Sequence, residues 1–306
     1  PKELYPIIRE NRYKPVAQFV VDNLVTAGVK DIVFVINETK HQLIGYFGDG
    51  HRFGGHFAYA VQEVRTGDNA STSPGLAHAL DAAHRLVAGK TVCFGMADTI
   101  MEPQDVFKRA LAASDGSEDV IMILFPTNRP EKFGMVRTDA TGRVLEINDK
   151  PRQTTLTHMW GAIIWRSRFT DLLHDSVQER HISDFARILN DAIAGGMKVT
   201  SYVVADGSYV DLGTYDEILE LALAEERTPK KPVSKAAIPV VTPKPVAPSM
   251  KPKVPSVKGP PMPPSISQST STRLTAAGRA LGTHSWIRIW PLGEVMEANA
   301  CASSIP

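Results

Sequence analysis

The chain has 306 residues, 43% hydrophobic and 22% charged, which excludes global disorder, collagen-like repeats and disulfide scaffolds. Its two cysteines, Cys93 and Cys301, form neither a metal-ligand spacing nor a disulfide framework, which fits a reducing compartment. No apolar run is long enough for a bilayer and no charged-then-apolar signal pattern opens the chain, so a cytoplasmic protein is the expectation. The formal charge of +1 hides an asymmetry. Residues 228–264 hold seven lysines and no acid, residues 265–306 carry +1, and residues 1–227 are left at −7. Such an acidic body is a poor nucleic-acid binder, and to bind anions it needs local lysines or a metal ion.

Along the chain, apolar periodicity switches repeatedly between helix and strand. Val16, Phe19, Val20, Leu24 and Ala27 mark a helical face ended by Gly28. Residues 31–36 (DIVFVI) form a β-branched strand, 39–47 return to helix, and 57–61 (FAYAV) read as a strand. A helix from Gly75 to about Val87 precedes strand 91–95; Pro103 begins another helix, and VIMILFP from 120 is a buried strand. The alternation, with near-continuous apolar strands, argues for a parallel sheet covered on both faces. Residues 133–151 then form two strands around a D-A-T-G turn. Strand 157–165 follows, and helices at about 182–194 and 215–226 bracket strand 198–204.

Segment 229–264 contains 12 of the 22 prolines and reads as an extended linker. The domain boundaries drawn from this are a body at 1–227, a Pro/Lys-rich disordered linker at 228–272, and a tail at 273–306 with two tryptophans and no regular pattern.

Several residues could carry chemistry. Asp98 follows strand 91–95 directly, at the carboxyl end where parallel sheets bind ligands. Asp211 lies between a strand and a helix in YVDLGTYDE. Each alone also reads as an ordinary turn or helix-capping residue. Together, two carboxylates at strand ends suit Mg²⁺ held against phosphates. In Asp149-Lys150-Pro151 the proline pushes Lys150 toward an extended backbone and outward presentation, although a lysine there is also a common surface residue. Gly75 opens a helix whose N-terminus favours an anion or a carbonyl oxygen. The loop GDGHRFGG lacks phosphate-loop spacings and reads as a turn, and His41, His51 and His56 read as scattered surface residues. Trp160 and Trp165, at odd spacing on one strand, should face opposite sides. Ser183-Asp184 reads as a helix cap.

Taken in order, these motifs resemble the sugar-1-phosphate nucleotidyltransferases, the nucleoside-diphosphate-sugar pyrophosphorylases. Pro1-Lys2-Glu3-Leu4-Tyr5-Pro6-Ile7 matches the second half of that family's N-terminal signature. Lys14-Pro15, Ala27-Gly28, the GDG loop, Tyr59-x-x-Gln62 and Gly75-Leu76-Ala77 follow. Asp98, Phe133-Gly134, Asp149-Lys150-Pro151, Trp160-Gly161 and Val210-Asp211-x-Gly213-Thr214 complete the series. The resemblance covers roughly residues 1–225 and lies toward the branch acting on glucose-1-phosphate with dTTP or UTP.

The resemblance implies a three-layer α/β/α Rossmann-like fold with a mostly parallel central sheet. It implies Mg²⁺ on Asp98 and Asp211, and Lys2 at the phosphates. Lys150 would hold the sugar phosphate, with Asp149 and the Gly134 backbone against the sugar. Gln62 and Gly75 would read the pyrimidine. The implied partners are a nucleoside triphosphate and a sugar-1-phosphate, with a homo-oligomer compatible and neither nucleic acid nor membrane involved. The chemistry agrees: a phosphate monoester is mostly dianionic at neutral pH and attacks the α-phosphorus without a general base, provided cations relieve the repulsion. The family's first strand and its glycine-rich loop with an arginine are absent from this sequence. The chain is therefore expected to be an N-terminally truncated, weakly active or inactive form whose sheet lacks a central strand. The rival expectation is a non-catalytic sugar-nucleotide-binding regulatory or scaffold subunit. Thr99 stands where an asparagine is common and Asp149 shortens the usual glutamate, which leaves the sugar open; the base stays open as well.

Overall fold

A computed structural model of the chain describes residues 1–9, 12–62, 75–214, 216–219, 221 and 286–289. The linker at 228–272 and the tail at 273–306, apart from 286–289, lie outside the described residues.

A 3₁₀ turn at Lys2–Leu4 opens the chain, and β1 (Pro6–Arg9) pairs antiparallel with β2 (Arg12–Pro15). Helix α1 (Val16–Thr26) starts directly after Pro15, and Gly28 follows its end at φ 87°, a left-handed backbone that glycine adopts without cost. Strand β3 (Asp31–Ile36) matches the apolar run. The expected helix at 39–47 is a 3₁₀ turn, Glu38–Lys40, followed by α2 (Gln42–Phe47). Strand β4 (His56–Val61) comes next. The helix expected from Gly75 to Val87 is broken into α3 (Leu76–Asp81) and α4 (His84–Val87). Strands β5 (Val92–Met96) and β6 (Thr99–Glu102) precede α5 (Val106–Ala113), which starts after Asp105 rather than at Pro103.

Strand β7 (Val120–Pro126) leads to the hairpin of β8 (Gly134–Thr138) and β9 (Val144–Asp149), and then to β10 (His158–Trp165). Helix α6 (Ser167–Gln178) has no counterpart in the sequence reading. Helix α7 (Phe185–Ala194) is capped as expected, with Asp184 accepting from the N–H groups of Ala186 and Arg187. Strands β11 (Val199–Val203), β12 (Ser208–Asp211) and β13 (Trp286–Ile289) complete the set.

The main sheet runs in the order β11-β7-β10-β5-β13-β3-β4, with the β8–β9 hairpin joined through β8 to β10. Strand β10 is antiparallel to both β7 and β5, and β13 to both β5 and β3, while the β11–β7 and β3–β4 pairs are parallel. Of the seven strands in that order, five therefore point one way and β10 and β13 oppose them. The expected vacancy in the sheet is corrected: β13, from the segment without a regular pattern, pairs between β3 and β5.

The core explains the unbroken apolar runs. On β3, Val33 and Val35 join one cluster with α3, α4, α6 and α7, while Ile32, Phe34 and Ile36 join another with α1, α2 and α5. Successive side chains point to opposite faces, so a strand covered by helices on both sides is apolar at every position. Trp160 and Trp165 depart from this alternation. A bulge between Trp160 and Ala162 inserts Gly161 and resets the phase, so both indoles pack on the same cluster rather than on opposite faces.

Candidate active site

The carboxyl end of β5 sets the first part of the site. The chain leaves β5, turns through Asp98, and enters β6, against which β12 pairs with Asp211 opposite Thr99. The Leu212 N–H donates to the Asp98 carbonyl at 2.9 Å, so the two aspartates share one rim of the sheet. Asp98 is only 2% exposed. The Lys2 ammonium reaches this point from the opening 3₁₀ turn, lying 2.9 Å from Asp98 Oδ2 and donating to the Gly213 carbonyl at 2.5 Å. Asp211 accepts from the Gly213 N–H at 3.0 Å. Burial raises the Asp211 pKa, and the negative charges of Asp98 and Glu217 push it the same way, against the opposing pull of the Gly213 N–H and Lys2. The Tyr209 phenol is likewise pushed well up, first by burial and then by Asp211 and Asp98.

The β8–β9 hairpin brings Gly134, Asp149 and Lys150 together. Gly134 and Asp149 are register partners, and the Lys150 N–H donates to the Phe133 carbonyl at 3.0 Å. Lys150 is exposed but not extended: its φ is 47°, because the chain must leave the strand pair while keeping that last hydrogen bond. The preference imposed by Pro151 is overridden. Gly134 is required by close approach, since a Cβ there would overlap the Trp160 indole. Its backbone is therefore seated on an aromatic ring.

Gln62 and Gly75 lie at the two ends of segment 63–74, which is outside the described residues. The Gln62 N–H bonds the Ile36 carbonyl at 2.7 Å, and its side-chain Nε2 is buried without a hydrogen-bond partner. An unsatisfied buried amide donor is costly unless something accepts from it, which suits a residue that reads a base. Gly75 precedes α3, whose six residues make a short dipole.

A cavity of about 680 Å³ adjoins the first two groups. Asp211 and Phe133, the neighbour of Gly134, line it together with Arg129, Lys132, Tyr209 and Glu217. Lys132 pairs with Glu217 at 2.6 Å. Burial alone would raise the Glu217 pKa, but Lys132 and Thr214 hold it below the ordinary value. Sequence reasoning did not single out Arg129 and Lys132; their place between a strand end and Phe133-Gly134 was the available signal. It also passed over Glu3 and Lys40, which form a buried ion pair at 2.5 Å.

Among the described residues no group of three or more His, Cys, Asp or Glu side chains could hold a metal ion. The scattered histidines are exposed, as expected. The Asp98–Asp211 pair nevertheless fits Mg²⁺, which keeps several waters and binds through one or two carboxylates plus substrate phosphates. Burial first and the negative charge of Asp98 second disfavour an ionised Asp211, and a shared cation would offset both.

With this geometry in hand, comparison with known proteins gives a clear family. The Nucleotidyl transferase family model matches residues 1–228. The chain belongs to that family. Within it, a glucose-1-phosphate thymidylyltransferase of Neisseria meningitidis serogroup A is 27% identical over 229 residues, covering 72% of this chain and 74% of the relative. Its counterpart in Xanthomonas campestris pv. campestris (strain B100) is 29% identical over 157 residues, 50% of this chain and 48% of the relative. The chain thus spans about half the length of the Xanthomonas nucleotidyltransferase. A UDP-glucose pyrophosphorylase solved with UDP-glucose shares the fold at TM-score 0.60 and 19% identity, over 74% of this chain and 90% of that one. The likeness supports the three-layer nucleotidyltransferase architecture, with helices on both faces of the sheet.

Proposed function

We propose that this protein transfers a nucleotidyl group from dTTP or UTP to a sugar-1-phosphate, glucose-1-phosphate first among candidates, releasing pyrophosphate. The observation that carries this reading is the convergence of Lys2, Asp98 and Asp211 on one rim, with Asp211 opening into a cavity that also holds Arg129 and Lys132.

The chemistry needs positioning and charge more than proton transfer. An oxygen of the sugar phosphate bonds to the α-phosphorus as the bond from that phosphorus to the pyrophosphate oxygen breaks. The attacking monoester has a second pKa of about 6, so it arrives largely as a dianion and no base has to activate it. Such chemistry needs no serine–histidine pair. Lys2, within reach of Asp98, would neutralise the triphosphate. Lys150, exposed at the end of β9, would hold the sugar phosphate, with Asp149 and the Gly134 backbone against the sugar. The orphaned Gln62 amide would donate to the pyrimidine, beside Gly75. Mg²⁺ on Asp98 and Asp211 would, when bound, add positive charge against the phosphates.

The test is pyrophosphate release from the purified protein with glucose-1-phosphate, Mg²⁺ and either dTTP or UTP. Formation of the nucleoside-diphosphate sugar, lost in Asp98→Asn, is expected. Binding of the product sugar nucleotide without turnover would instead make the chain a binding subunit, and neither binding nor turnover would overturn the assignment.

A further inference from the structure

Glu3 and Lys40 form an ion pair that the proposed chemistry does not use. Glu3 is fully buried, the Lys40 side chain is 6% exposed, and their charged atoms lie 2.5 Å apart. Two charges taken out of water cost more than a surface pair returns, and apolar side chains of similar volume commonly serve stability as well or better. The position of the pair suggests another use. Glu3 directly follows Lys2 in a turn of only three residues, closed by the Leu4 N–H on the Pro1 carbonyl at 3.0 Å. Lys40 ends the 3₁₀ turn just after the carboxyl end of β3. Strand β3 runs in the same direction as β5, so Lys40 stands on the rim that carries Asp98. Lys40 also feels the charges of Lys2 and Asp98.

We infer that Glu3 and Lys40 are positioning residues: the buried pair anchors the Lys2–Leu4 turn to the end of β3 and thereby aims the Lys2 ammonium at Asp98 and Gly213. Leu4 packs against the apolar cluster around α1 and β3, a non-directional contact that seats the turn without fixing its rotation. Of the two oxygens of Glu3, Oε1 faces Lys40 and Oε2 is buried without a hydrogen-bond partner. The carboxylate is therefore held chiefly from one side, and its direction is fixed by Lys40. A lysine on a flexible stem contributes little to a transition state unless its backbone is fixed. A three-residue turn cannot supply that rigidity alone, whereas a buried ionic anchor one residue away can.

This role rests on the proposed nucleotidyl transfer for its catalytic meaning but not for its geometry, and the test separates the two. Glu3→Gln with Lys40→Met removes both charges of the pair at nearly constant volume. The first readout needs no substrate: acylation of Lys2 by acetic anhydride, followed by mass spectrometry. Lys2 should be protected in the wild type and should label several-fold faster in the double variant, while the melting temperature stays near that of the wild type. The second readout is the KM for the triphosphate, which should rise about tenfold, the effect of a lost charge-assisted contact. In a Lys2→Ala background the same double substitution should add almost nothing, since its effect runs through Lys2. Unchanged Lys2 labelling in a folded double variant would overturn the inference, as would a KM effect that persists undiminished without Lys2. A wild type that protects Lys2 but turns over no nucleotide would refute the proposed function and leave the anchor standing.

Discussion

Replacing Asp211 with asparagine should stabilise the protein while stopping turnover. Asp211 is partly buried and also faces two carboxylates, Asp98 and Glu217, against one ammonium, Lys2, so its charge is disfavoured on balance. An asparagine side chain would keep the acceptor for the Gly213 N–H and remove the charge. Relief of such clustered like charge is worth about 1 kcal/mol, within the range of about 0.5–2 kcal/mol for single electrostatic improvements. For a domain of this size that is about 2–4 °C in Tm. The sign with pH follows from the raised folded-state pKa. The wild-type penalty is full above that pKa and fades as pH falls through it toward the ordinary carboxylate range. Thermal unfolding in chelator-treated buffer should therefore show Asp211→Asn ahead near neutrality and level with the wild type in acid. Added Mg²⁺ should raise the Tm of the wild type and not of the variant. A variant less stable than the wild type at neutral pH, or an advantage unchanged in acid, would refute the electrostatic reasoning.

Substitutions at Lys150 and Gly134 probe the β8–β9 hairpin. Lys150→Gly should match or exceed the wild type in Tm, since a glycine holds the left-handed backbone at φ 47° without a Cβ clash and so returns about 1–2 kcal/mol against about 0.4–1 kcal/mol of added unfolded-chain entropy. Lys150→Ala should not gain this. Both should raise the KM for the sugar phosphate by about tenfold to a hundredfold with little change for the triphosphate, measured by varying each substrate separately. Gly134→Ala should cost about 1–3 kcal/mol in urea unfolding, because the new methyl meets the Trp160 ring. Adding Trp160→Phe should recover part of that loss.

Much of the body was legible because it is periodic. Strand β3 falls on residues 31–36 as read, and Asp184 caps its helix, since both signals are local. Helix α6 was overlooked although Phe169, Leu173 and Val177 recur at four-residue spacing and are buried; polar neighbours such as Thr170 and Ser176 are buried beside them and dilute the stripe. The Trp160–Trp165 phase was misread because one bulged residue, Gly161, reverses an alternation that spacing alone predicts. The backbone of Lys150 was misread as extended because a long-range hydrogen bond to Phe133 outweighs the local effect of proline. The site divides in the same way. Lys2, Asp98 and Asp211 sit in motifs and could be named, whereas the partnership of Glu3 with Lys40 exists only in tertiary structure and has no local signature.

The β6–β12 pairing also bears on when the site comes into being. It joins residues roughly a hundred positions apart in the chain, so its closure is entropically late compared with the local β8–β9 hairpin. Asp98 has no carboxylate partner from β12 until that closure occurs. A collapsed intermediate could hold α1, β3 and β5 together and still present no paired carboxylates. If Asp98 and Asp211 hold Mg²⁺ as proposed, its affinity should return during refolding only after the helical signal, reporting completion of the topology rather than its onset.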